Sequence, residues 1–88
     1  MKLHTAKTKL EEITGLTAFD VCHGIEITVL GDQPELVGPT AEKLQAAGVP
    51  FRKKSKGKKF AGATFFVPMK NVGTAWAAEW EFDLEAVK

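Results

Sequence analysis

The chain has 88 residues and a net charge of +1, with 44% hydrophobic and 26% charged residues, a balance that excludes whole-chain disorder and supports one domain over residues 1–88 with a single core. Its one cysteine, Cys22, excludes an intramolecular disulfide. No apolar run approaches the roughly 20 residues that span a bilayer, and residues 1–20 carry charge throughout, so no membrane partner and no signal peptide are expected and the expected setting is reducing and cytoplasmic.

Residues 3–14 (LHTAKTKLEEIT) place Leu3, Ala6, Leu10 and Ile13 on one helical face. Thr8 and Glu11 fit a capping box, which predicts a helix start near residue 9, and Gly15 suits its end. Residues 16–24 (LTAFDVCHG) admit two readings. Thr17 and Asp20 suit a second helical turn; Phe19 and Val21 equally suit one face of a strand. Residues 25–30 (IEITVL) predict a strand with Ile25, Ile27 and Val29 on one face. After the turn at 31–34, Pro39 suits the first turn of a helix that ends at Ala47, before Gly48.

Residues 49–54 predict a strand with Val49 and Phe51 on one face, and Pro50 places its start near a sheet edge. Residues 60–67 (FAGATFFV) are apolar on both faces, the pattern of a central strand. A loop is expected at 68–73. Residues 75–85 (AWAAEWEFDLE) then alternate with a period of two. Trp76, Ala78, Trp80, Phe82 and Leu84 share one face, and Glu79, Glu81, Asp83 and Glu85 share the other, which predicts a long strand, dry on one side and wet on the other. The expected fold class is α+β: a small, mostly antiparallel sheet of about four strands, one or two helices packed on a face, and a basic β-hairpin.

The run LEEITGLTAFDV has apolar spacing around Gly15 that resembles part of a helix-turn-helix. The order helix, strand, basic loop, strand over 40–67 resembles the recognition-helix-plus-wing half of winged helix-turn-helix proteins, and that resemblance implies a wing tip that touches DNA backbone. The strands predicted at 25–30 and at the C-terminal end lie outside that pattern.

Six cations, Arg52, Lys53, Lys54, Lys56, Lys58 and Lys59, fall within eight residues and make up half of the Lys and Arg in the chain. Clustered cations repel one another, so an anionic partner relieves a local cost. Lysine suits point contact with phosphate, whereas arginine is the better base reader. Five Lys and one Arg therefore point to sequence-independent contact with the backbone of DNA or RNA. The plain alternative is a solvated turn whose charges keep a sheet edge from pairing. Glu79, Glu81, Asp83 and Glu85 offer a second surface, suited to a larger protein that the chain would inhibit or adapt; their plain reading is the wet face of a strand.

Catalytic and metal motifs are missing from the sequence. GxGxxG and GxxxxGK[ST] do not occur, and Ser55 is the single serine, which excludes serine-hydrolase chemistry. One Cys and two His, with Cys22 and His23 adjacent in the chain, supply no evident zinc set. Trp76, Trp80 and Phe82 suit base stacking if their face is open, and core packing if it is not. Phe51 and Phe60 flank the basic tip and are expected to pack across the hairpin. The sequence thus leads to a non-enzymatic nucleic-acid-binding protein without cofactor or metal, with a protein-interaction module as the alternative.

Overall fold

The computed structural model describes residues 1–21, 23–55 and 62–87. Helix α1 (Leu3–Thr14) leads into strand β1 (Ala18–Val21) and strand β2 (Gly24–Val29). A 3₁₀ turn (Pro34–Leu36) runs into helix α2 (Val37–Ala46). Strands β3 (Arg52–Ser55), β4 (Ala63–Asn71) and β5 (Trp80–Phe82) follow, and a 3₁₀ turn (Leu84–Val87) closes the described chain. The sheet is antiparallel in the order β1-β2-β4-β3, with β5 also paired to β4. The α+β class expected from the sequence is the class observed.

Pairing register divides the sheet into two faces. Ile25 lies opposite Val67, Ile27 opposite Phe65, and Val29 opposite Ala63. All six are buried in one cluster with Ala6 and Leu10 of α1 and Leu44 of α2. Both helices therefore cover the same face. Phe65, Leu10, Ile25, Ile27 and Leu44 are fully buried; a large apolar side chain so placed contributes about 1.5–3 kcal/mol. Phe51 joins the cluster edge-on to Phe65, with ring centroids 5.7 Å apart.

Helix α1 starts at Leu3, six residues earlier than the capping box predicts. The Thr8 hydroxyl donates back to the His4 carbonyl at 3.1 Å, inside the helix, instead of capping it. The Glu11 carboxylate accepts the Ala18 amide at 3.1 Å and ties the helix to β1. Residues 18–21 are strand, so the helix-turn-helix resemblance is not realised there: pairing with β2 gives this segment backbone partners that an isolated turn of helix lacks.

Two further expectations are corrected at the other end of the sheet. The loop expected at 68–73 is strand as far as Asn71, because Pro68 pairs opposite Gly24 and its lack of an N–H is harmless there. The long strand expected over 75–85 is cut to three residues, Trp80–Phe82. Residues 72–79 form a loop held by its own polar groups. Asn71 Oδ1 accepts the amides of Gly73 and Glu79 at 2.9 and 3.0 Å, and Thr74 Oγ1 accepts the Ala77 amide at 2.9 Å. A Cβ on Gly73 would stand 2.3 Å from the Ala77 carbonyl, so this closure requires glycine.

Candidate nucleic-acid interface

Strand β3 carries the described half of the basic cluster. Arg52, Lys53 and Lys54 are all exposed, and β3 is an edge strand, as Pro50 suggests. Register sets their directions: Arg52 pairs opposite Phe66 and Lys54 opposite Thr64, whereas Lys53 pairs opposite the core residue Phe65. Arg52 and Lys54 thus stand on the face that the helices leave uncovered. Arg52 also donates to the Ala86 carbonyl, which docks the closing 3₁₀ turn against β3. Among the described residues the one salt bridge joins the Met1 amine to Glu79, so no carboxylate there neutralises Lys53 or Lys54. Lys56, Lys58, Lys59 and Phe60 lie outside the described residues, as does Cys22.

The uncovered face continues across the sheet. Phe19 of β1 pairs opposite Glu26 of β2, Glu26 opposite Phe66 of β4, and Phe66 opposite Arg52 of β3. One row therefore reads ring, carboxylate, ring, guanidinium. The next row places Thr28, Thr64 and Lys54 side by side. The Lys54 ammonium lies 6.0 Å from the Phe66 ring centroid, at the outer limit of a cation–π contact. The Phe66 ring lies over Gly24, where a Cβ would come within 2.7 Å of it. Beside the ring opens a cleft of about 490 Å³, walled in part by His23, Pro68, Lys70 and Trp80. Phe19 is 53% exposed. Thr64 is buried, and its hydroxyl has no hydrogen-bond partner among the described residues.

The acidic residues do not form the continuous face expected of them. Glu79 ends the 72–79 loop and binds the Met1 amine, which holds its carboxyl below the usual range through that hydrogen bond and the charge of the amine. Glu81 sits on β5 opposite Lys70. Asp83 is half-buried and its Oδ1 accepts the Ala86 amide at 3.3 Å. Glu85 lies in the closing 3₁₀ turn.

The aromatic expectations divide. Trp80 and Phe82 pack against the core, but Trp76 is 98% exposed at the loop tip. Phe51 packs on Phe65, and the expected pairing of Phe51 with Phe60 falls outside the described residues. Phe19, Glu26 and Phe66 were missed as a site by reading the strands singly. The signal for Glu26 and Phe66 is the even-numbered position between core residues in IEITV and ATFFV, and for Phe19 the position next to buried Ala18; register aligns the three. Among the described residues no group of three or more His, Cys, Asp and Glu is placed to hold a metal ion. No described helix is long and apolar enough to cross a membrane. Compared with protein-family models, curated proteins and solved structures, the chain matches none.

Proposed function

We propose that this is a small non-enzymatic nucleic-acid-binding protein whose basic β3–β4 arm contacts the phosphate backbone. The observation that supports it is the exposed edge strand, where Arg52, Lys53 and Lys54 stand without a carboxylate partner among the described residues. The chain leaves them directly into Lys56, Lys58 and Lys59. Six cations so close together raise one another's electrostatic energy, and a phosphate chain lowers it while releasing its condensed counterions. The alternative, a protein-docking surface along Glu79, Glu81, Asp83 and Glu85, is less well supported, because those four carboxylates lie on a loop end, a strand, a capping position and a 3₁₀ turn.

The test is fluorescence anisotropy with labelled duplex DNA, single-stranded DNA and RNA at about 50 and 200 mM salt. Binding is expected to weaken steeply with salt. Replacing Lys53, Lys54, Lys56, Lys58 and Lys59 by Gln should abolish it or, on duplex DNA, flatten the salt slope by up to about 0.9 for each phosphate no longer neutralised. Unchanged binding by that variant would overturn the proposal.

A further inference from the structure

Which form of nucleic acid suits this surface is set by what lies beside the cations. A duplex presents phosphates outward and keeps its bases stacked inside, so it can use Arg52 and Lys54 but not an aromatic ring on a sheet face. A single strand presents both phosphates and free base faces, and every base has a π-face to offer. Here the cations and the rings share one face: Arg52 adjoins Phe66 in the row that also holds Phe19 two strands farther on, and Lys54, from the next row, stands over the Phe66 ring. With neighbouring strands spaced by about 4.8 Å, the two phenylalanine positions are about 10 Å apart, room for a separate base on each.

We infer that the helix-free face of the sheet binds single-stranded nucleic acid, with one base stacked on Phe66, another on Phe19, and the backbone held by Arg52 and Lys54. This inference rests on the nucleic-acid reading above and specifies its ligand. Glu26 orients the strand. It lies between the two rings, where its charge repels phosphate and its oxygens accept hydrogen bonds from the N–H groups of a base edge. The phosphates are therefore held at the β3 side, and the strand crosses the sheet toward β1 along the row of the two rings. The Phe66 ring is reachable from the cleft beside it, whose wall carries both Lys70 and Asp83. Gly24 keeps the ring in place, since any larger residue would push it off the β2 backbone.

The test compares labelled single strands that carry the same charge with and without bases: a 12-residue oligothymidylate, a 12-residue oligouridylate, and an abasic 12-mer, with a 12-base-pair duplex alongside. The wild-type protein should bind the base-bearing strands more tightly than the abasic one, by about 5- to 150-fold per stacked base. Phe66→Leu and Phe19→Leu keep apolar bulk but remove the π-face. Each should shrink that preference while leaving abasic affinity and thermal unfolding nearly unchanged. Equal wild-type affinity for abasic and base-bearing strands would overturn the stacking inference and leave phosphate binding by the arm intact. Binding to the duplex alone would do the same. No binding to any of the four ligands would overturn both readings. The two oligonucleotides separate DNA from RNA by their relative affinity.

Discussion

Two hairpins share strand β4, and the chain builds them differently. The β3–β4 hairpin is held by an inter-strand ladder and by side chains that meet across it: Phe51 edge-on to Phe65, and Lys54 over Phe66. The β4–β5 hairpin has a ladder of only three pairs, Met69 with Phe82, Lys70 with Glu81 and Asn71 with Trp80. Beyond it, the loop is closed by two backbone bonds, from Val72 to Glu79 and from Thr74 to Ala77, and by side-chain oxygens of Asn71 and Thr74. The contrast shows what alternation can and cannot promise. A period of two describes which residues would share a face if the segment were a strand; it does not provide a neighbouring strand for every residue. Where the β4–β5 ladder ends, two backbone bonds, Val72 N–H to the Glu79 carbonyl at 2.7 Å and Thr74 N–H to the Ala77 carbonyl at 3.1 Å, and the side-chain oxygens of Asn71 and Thr74 together set the path of residues 72–79.

The sharpest way to break this comparison is at β4 itself. Phe65→Ala should destabilise the fold by about 3–5 kcal/mol, because Phe65 is fully buried among both helices and both flanking strands. Phe66→Ala, one residue along and on the uncovered face, should cost distinctly less. Urea unfolding of the two variants measures the difference, and equal destabilisation would mean that the second face is packed as fully as the first.

The β4–β5 hairpin is tested next by Asn71→Ala. It removes the acceptor for two loop amides and should cost about 1–2 kcal/mol, since each net hydrogen bond is worth about 0.5–1.5 kcal/mol. Faster amide exchange at Gly73 and Glu79 should accompany that change. If exchange there is unchanged, the loop is held by something other than Asn71.

The smallest expected effect has the opposite sign. Thr64 buries a hydroxyl with no partner among the described residues, so Thr64→Val, which keeps the shape and removes the polar atom, should be neutral or stabilising by up to about 1 kcal/mol. A clear destabilisation in urea would show that the hydroxyl is satisfied in solution.

Much of the β3–β4 half was legible in the sequence because its signals are redundant. Pro50 marks an edge and FAGATFFV marks a centre; β3 is at the edge and β4 is flanked on both sides, while the turn expected between them lies outside the described residues. Segment 16–24 was ambiguous for the opposite reason. Its few apolar residues fit either period, and the choice fell to β2, which offers Ala18 and Phe19 pairing partners at Ile27 and Glu26. The C-terminal alternation was read correctly for Trp80 and Phe82, which pack on the core, and misread for Trp76 and Leu84, which are exposed.

The sequence by itself determined the composition of each surface: an apolar set large enough for one core, six cations within eight residues, and two helices with narrow apolar faces. These are properties of residue type and local spacing, and they hold whatever the strands pair with. Only the tertiary structure decided which strands became neighbours. That choice placed Phe19, Glu26, Phe66 and Arg52 in one row, though they come from four separate strands. The physical reason is register. Burying Ile25, Ile27, Phe65 and Val67 on one face fixes the pairing of β2 and β4 to the residue, because a slip of one would turn every core side chain toward water. The same constraint, carried outward to β1 and β3, assembles the opposite face.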